Sequence, residues 1–436
     1  MLKRILALLA LVALAFALIL IFASQAPASC PPVAESVAAE SHTSDGILVR
    51  FGAGVSGLTK AGIHEANGAV LIREIPQIGV HVLWVPIDRV PQVVVAYSRN
   101  PNVLYAEPDY IAYALEDPDD SYFAKQWGLD NDGQEYKDSI SGTVDADIDA
   151  PEAWDVTTGD PNVLIAILDT GIDQDHEDLT KVVANEDLTD SGGVEDYYGH
   201  GSHVAGIAAA VTNNDTGVAG IGYNSALMNV KVLNDHGLGN YSWIASGIVW
   251  ATDHGAKVIN MSLGGPLPSR TLEAAVNYAW NHGVVLVCAA GNDGDRRPTY
   301  PGNYENCIAV AATDDDDARA DFSNCGSWVD IAAPGVDIYS TFPNHPYAIG
   351  KSLNYGYASG TSMATPHVAG VAALVWAIPE YRTSNSSVRN CVEQTADPIE
   401  GTGGLWIHGR VNAHQAVSNC PSASSSSASG GPRSLE

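Results

Sequence analysis

The run Val163-Leu-Ile-Ala-Ile-Leu-Asp-Thr-Gly171 decides the fold. Its unbroken apolar stretch has no polar face, so a strand built from it must be covered on both sides. Similar β-type runs recur at Leu227–Val232, Val258–Met261, Val284–Ala289 and Ile308–Ala312. Between them, Ser242–His254 and Leu272–His282 carry apolar residues at helical spacing. The alternation predicts an α/β domain with a mostly parallel sheet flanked by helices. Asp169 then falls just past a strand's carboxyl end, where open α/β sheets build their sites.

Two further segments place reactive side chains at helix starts. Gly199-His-Gly-Ser-His-Val-Ala-Gly206 puts His200 at the head of an Ala-rich helix. Gly360-Thr-Ser-Met-Ala-Thr-Pro-His-Val-Ala-Gly370 does the same for Ser362, beside orphan N–H groups. Ala289-Ala-Gly-Asn-Asp-Gly294 sets Asn292 in a glycine-flanked turn after a strand. Asp, His and Ser are the components of nucleophilic acyl transfer, and an Asn amide can donate to an oxyanion. Taken singly, each has a plainer role. Asp169 would serve as a turn residue, Ser362 as an N-cap, and His200-x-x-His203 as a metal pair. The chain has no His-Glu-x-x-His, and Gly360-Thr-Ser-Met-Ala364 departs from Gly-x-Ser-x-Gly.

Taken together and in this order, the segments resemble the subtilisin-like serine proteases, most closely their thermitase-like branch. The resemblance runs from Ser121 to Val417. It implies a subtilisin-like fold and a serine endopeptidase. Asp169 would orient His200, His200 would act as base then acid, and Ser362 would be the nucleophile. Asn292 and the Ser362 N–H would form the oxyanion hole. Ser202 stands where the family usually has Thr. Ser262, Leu263 and Gly264 resemble the edge that pairs with an extended peptide, and Gly237–Tyr241 the opposing strand. Ala289, Ala290 and Gly291 resemble one wall of S1, with Asp293 and Thr299 where the family tunes it.

The resemblance also implies calcium. Thr212-Asn-Asn-Asp-Thr-Gly-Val218 would offer the Asn214 side chain and the carbonyls of Val211, Thr216 and Val218. Asp120 and Asp178 would add carboxylates, an all-oxygen set that suits Ca2+. Asp187, Asp190, Glu195 and Asp196 are candidates for a second ion, and Asp314–Asp317 reads as a solvated charge run. A catalytically inactive peptide-binding pseudoprotease and a metal-dependent hydrolase stay open as rival readings.

Upstream, Gly46–Leu115 reads as a small ferredoxin-like βαββαβ unit. Strands are expected at 47–51, 70–75, 80–85 and 103–106, with helices at 55–67 and 87–98. It ends in the apolar tail Tyr110–Leu115 and resembles the family's inhibitory propeptide, including Glu107-Pro-Asp-Tyr110. The resemblance implies a mature N-terminus near Glu116, with Ala112–Leu115 in S4 to S1 and an apolar P1 preference. Charge divides the chain at the same place. Residues 1–115 carry seven bases and eight acids, whereas residues 116–436 carry 14 and 43. The overall −30 excludes nucleic acid as a main partner, because phosphate binding needs clustered Lys and Arg.

Lys3-Arg4 and the apolar run Ile5–Ala23 read as an export signal with cleavage sites in Ser24–Ala28. Residues 1–29 are thus a signal peptide, or a membrane anchor if the segment is retained. The expectation is a secreted monomer acting on proteins or peptides, with its own propeptide as intramolecular inhibitor. Residues 30–45 read as a linker, 46–115 as the propeptide, 116–420 as the catalytic domain and 421–436 as a Ser/Gly-rich tail. Export permits disulfides. Cys391 with Cys420 is one candidate pair and Cys307 with Cys325 another; Cys288 reads as a buried thiol.

Overall fold

The computed structural model describes residues 43–86, 89–110, 118–350 and 352–420. The export segment, the tail 111–115, the start at Glu116 and the Ser/Gly-rich end lie outside the described residues. The chain divides into two compact units, with the break between Tyr110 and Ile111.

The first unit runs β1 (Thr43–Phe51), α1 (Gly57–Ala66), β2 (Val70–Ile75), β3 (Val80–Trp84), α2 (Val90–Ser98) and β4 (Val103–Tyr110). The strands form an antiparallel sheet in the order β2-β3-β1-β4. Ile47, Val49 and Phe51 alternate onto one face of β1 and bury against Ile63, Val90, Val93 and Tyr97 of the helices. Ser56 caps α1 by accepting from the Thr59 N–H at 3.2 Å. α2 starts at Val90 rather than at 87, which places Pro91 in the first turn, where its missing N–H costs nothing. β1 and β4 both run longer than the sequence suggested, β1 reaching back into the expected linker. In the core the His64 Nδ1 meets the Tyr97 hydroxyl at 2.8 Å, and its Nε2 meets His81 Nδ1 at 3.1 Å. Burial, with help from His81 and Lys60, pushes His64 down to about 4.

The second unit is built on a seven-stranded parallel sheet. Its strands are β5 (Leu164–Asp169), β6 (Val182–Asp187), β7 (Ala226–Lys231), β8 (Val258–Met261), β9 (Val285–Ala289), β10 (Ile308–Thr313) and β11 (Ile331–Pro334). Their order is β11-β10-β9-β8-β5-β7-β6. The helices are α3 (Ala150–Val156), α4 (His200–Ala209), α5 (Tyr241–Asp253), α6 (Arg270–Asn281), α7 (Thr361–Ala377), α8 (Asn385–Gln394) and α9 (Ala413–Ser418). An antiparallel pair, β12 (Ile338–Thr341) and β13 (Tyr355–Ala358), precedes α7.

β5 shows why its run is apolar throughout. Ile165 and Ile167 join one buried cluster with α4, α7, α8 and α9. Ala166 and Leu168 join another with α5 and α6. The chain leaves β5 for β6 and β7 on one side, then returns to β8 on the other, so the order reverses at β5. The carboxyl ends of β5, β8 and β9 therefore border the crevice that such a reversal creates.

Cys391 and Cys420 form a disulfide across 29 residues, tying α8 to the end of the domain. A loop of that length is worth about 3–4 kcal/mol in the chain-entropy account. The other expected pair does not form: Cys307 and Cys325 are both free and buried. The Cys307 thiol instead lies in hydrogen-bonding reach of Cys288. Among the described residues, no helix is long and apolar enough to cross a membrane.

Candidate active site

Asp169 is the last residue of β5 and fully buried. Its Oδ1 accepts from His200 Nδ1 at 2.7 Å and from the Thr170 N–H at 2.8 Å. Glycine makes this approach possible. A Cβ on Gly201 would stand 2.1 Å from the Gly171 carbonyl oxygen, so only glycine lets the head of α4 close onto the end of β5. Burial alone would lower the His200 pKa. The Asp169 charge and hydrogen bond, with help from Asp196, outweigh it and leave the group raised.

Ser362 is the second residue of α7. Its hydroxyl donates to the Ser262 carbonyl at 3.1 Å, and the Ser262 hydroxyl donates to the Ser362 carbonyl at 2.8 Å. The second bond exists because Pro366, four residues on, has no N–H to give that carbonyl. The pair locks the head of α7 to the end of β8.

Asn292 follows β9 through the positive-φ Gly291. Its Oδ1 accepts from the Thr361 N–H and hydroxyl, each at 2.9 Å, which fixes which end of the amide remains as donor. A Cβ built on Gly360 would lie 3.5 Å from Asn292 Nδ2 and 3.6 Å from the Ser362 nitrogen. Two donors thus flank one small space beside the Ser362 backbone.

The peptide-edge residues fall at the end of β8. Gly265 pairs with Tyr300, and a Cβ on Gly264 would meet Thr299 Cγ2 at 2.4 Å. Among the described residues, no backbone hydrogen bond outside the regular elements engages Leu263 or Gly264. Ala289 ends β9, Ala290 donates to the Val310 carbonyl at 2.9 Å, and Gly291 donates to Thr361 Oγ1 at 3.1 Å. Asn324 links this wall to Thr299 at 3.3 Å and to the Ala290 carbonyl at 3.1 Å. One expectation fails here. Gly237–Tyr241 is not a strand: 237–240 is turn and coil, and Tyr241 opens α5 with its hydroxyl on the Leu267 carbonyl at 2.9 Å.

Several supporting residues escaped the sequence reading. Asp196, a candidate for a second ion, makes capping contacts. Oδ1 accepts from Thr170 Oγ1 and Gly199 N, and Oδ2 accepts from Ser202 N, so it caps α4. The spacing of an acid four residues before His200 was the available signal. Asp187 accepts within its own loop from Thr189 and Gly193, and of the four acids only Glu195 falls in a metal-capable cluster among the described residues. Lys231 is fully buried at the end of β7, donating to the Thr170 carbonyl and, at 2.9 Å, to the Glu195 carbonyl. His203 turns to the Gly356 carbonyl at 3.1 Å and makes no metal pair with His200. Asp314–Asp317 is not merely solvated, since Asp316 accepts from Thr143 and Asp317 from Arg410.

The loop 211–218 brings Asp120 and Asp178 together. Asp120 Oδ2 accepts from Asn213 N at 2.8 Å, while its buried Oδ1 has no partner. Asp178 accepts from Val218 N at 2.8 Å and from Asn214 Nδ2 at 3.2 Å. Burial, with the Asp120 charge adding to it, pushes Asp178 up to about 7. Among the described residues, no hydrogen bond reaches the carbonyls of Val211, Thr216 or Val218. An orphaned buried carboxylate oxygen, a second buried acid and three open carbonyls fit a hard cation.

Comparison with known proteins agrees with this geometry. Residues 160–424 match the subtilase family model, and residues 29–109 match that of the fervidolysin N-terminal prodomain. The chain is 43% identical over 374 residues to the thermophilic serine proteinase of Bacillus sp. strain AK1, covering 85% of this chain and 86% of that protein. It is 51% identical over 272 residues to thermitase from Thermoactinomyces vulgaris, covering 62% and 93%. A solved protease of Pseudoalteromonas arctica PAMC 21717 superposes with a TM-score of 0.62 at 34% identity, covering 70% of this chain and 100% of that one. The chain therefore belongs to the subtilase family, and is a serine endopeptidase carrying a fervidolysin-type N-terminal prodomain.

Proposed function

We propose that this subtilase is exported, processes itself, and cleaves peptide bonds with Asp169, His200 and Ser362 as its triad. What carries the reading is the convergence of the 2.7 Å Asp169–His200 contact with two donors, Asn292 Nδ2 and Ser362 N, beside the Ser362 backbone. To react, the Ser362 hydroxyl leaves the Ser262 carbonyl and donates to His200 Nε2. His200 takes the proton as Oγ bonds to the substrate carbonyl carbon. The carbonyl oxygen becomes negative and receives the Asn292 and Ser362 donors. Collapse expels the amine, which takes its proton from His200, and water repeats the sequence on the acyl-enzyme. The unpaired backbone at Leu263 and Gly264 suits an extended peptide adding as a strand.

A fluorophosphonate probe tests the chemistry. One adduct is expected, on Ser362 by mass spectrometry, and lost in His200→Ala. No adduct on Ser362 would favour the inactive, peptide-binding alternative.

Residues 46–115 act in this reading as an intramolecular inhibitor, cut after Leu115 to leave a chain starting at Glu116. Residues 1–29 direct export, and an apolar P1 residue follows from the tail Ala112–Leu115. Calcium is held by Asp120, Asp178, the Asn214 side chain and the carbonyls of Val211, Thr216 and Val218. Bound there, it neutralises two buried carboxylates and takes no part in the acyl transfer. Removing it leaves Asp120 Oδ1 orphaned. With Ca2+ at 100 times its Kd, binding adds about 2.7 kcal/mol, or roughly 3–5 °C in Tm for a catalytic domain of this size. Chelation of the Ser362→Ala protein, which cannot digest itself, should lower Tm by that amount, and Asp120→Asn should abolish the difference. An unchanged Tm on chelation would remove calcium from the account.

A further inference from the structure

Outside the triad and the calcium loop, one group of metal-capable side chains gathers three segments. Asp173 lies just after β5, Glu195 just before α4, and His345 between β12 and β13. One ligand-capable atom from each lies within 4.8 Å of the others. Asp173 is fully buried, and the Asp175 carboxyl is within hydrogen-bonding reach of it. Among the described residues, no Lys or Arg pairs with any of these acids; the one ion pair is His345 with Glu195. Three carboxylates therefore gather at His345, with His176 also in electrostatic reach of Asp173.

The imidazole's own geometry narrows what belongs there. His345 Nδ1 lies 3.1 Å from the Pro346 carbonyl oxygen, which can only accept, so Nδ1 carries the hydrogen. Nε2 then faces Glu195 Oε1 at 3.4 Å. In the neutral ring that is lone pair against lone pair, so either a second ring proton or a metal cation must stand between them. A carbonyl that fixes the tautomer and leaves the other nitrogen toward carboxylates is the outer-shell arrangement of a metal-binding histidine. A mixed nitrogen and oxygen set suits zinc-class ions, whereas calcium and magnesium take oxygen.

We propose that Asp173, Glu195 and His345 bind a divalent transition-metal ion of the zinc class. The site lies apart from the calcium ligands and is independent of the triad reading. It sits where the segment 344–349 is strapped to the approach to His200. Ala348 N donates to the Tyr197 carbonyl at 2.8 Å and Ile349 N to the Tyr198 carbonyl at 3.1 Å. The next residue after Glu195 is Asp196, which caps α4. A bound ion would fasten this strap at its open end.

The test uses the full, untagged Ser362→Ala chain with saturating Ca2+, so that oxygen-only sites are filled, and Co2+ as the probe. Its readouts need no activity. About one equivalent of Co2+ should bind with a visible d–d band and be displaced by Zn2+. His345→Asn and Glu195→Gln should each weaken binding by about 10-fold or more. Far-UV circular dichroism and retained Ca2+ binding check that the variants fold. Absence of the band, or a band unchanged in both variants, overturns the proposal. So does a proton-only outcome, in which His345 titrates by NMR as an ion pair with Glu195 and zinc leaves its signals unmoved.

Discussion

Asp169→Asn should lower kcat by about 10⁴ while leaving KM nearly unchanged, a magnitude set by triads in general and not by the present distances. The asparagine can keep the 2.7 Å contact, but its amide favours the wrong imidazole tautomer. The pH dependence supplies a second readout. His200 must be neutral to accept the Ser362 proton, so kcat/KM falls as pH drops through the free-enzyme pKa of His200. In the wild type that pKa is raised, because the Asp169 charge outweighs burial. Without the Asp169 charge, burial is opposed mainly by Asp196, the smallest of the contributions, and the pKa falls. The residual activity of Asp169→Asn should therefore keep its acid limb to lower pH than the wild type. A loss below about 10-fold, or a limb that moves upward, would contradict the role given to Asp169.

Asn292→Ala should cost about 10²–10³ in kcat, again with little change in KM. The amide is held by Thr361 through Oδ1, so its donor end is aimed before substrate arrives. Preorganised donors act on charge that develops only in the transition state, so the loss belongs in kcat. Thr361→Val offers a graded control. It removes the hydroxyl that orients Asn292 and accepts from Gly291 N, and should give a smaller loss than Asn292→Ala. Equal effects on kcat and KM for Asn292→Ala would make it a binding residue instead.

The elements that could be read from sequence are those whose environment is uniform along their length. β5 and β8 are buried on both faces, so their apolar runs match the observed strands within a residue. β6 is an edge strand with Val183 61% exposed, which leaves Val-Val-Ala-Asn-Glu-Asp without a recognisable pattern. The proposed catalytic residues stand out in the sequence because each sits at an element end marked by glycine. Their supports do not, because they are contacts between distant segments. Ser262 and Ser362 are 100 residues apart, and Lys231 reaches Thr170 across 61. Cys307 and Cys325 flank one strand in sequence, yet β10 carries Cys307 toward Cys288 instead. Asp196 read as one more acid in an acidic loop until its partners showed it capping α4.

The central claim is that this chain's own triad cuts the prodomain from the catalytic domain. Wild type and Ser362→Ala, purified in parallel and read by N-terminal sequencing, test it most directly. The account predicts a wild-type chain beginning near Glu116 and a Ser362→Ala chain that keeps residues 46–115. Cleavage near Leu115 in the purified Ser362→Ala protein at the wild-type rate would contradict it.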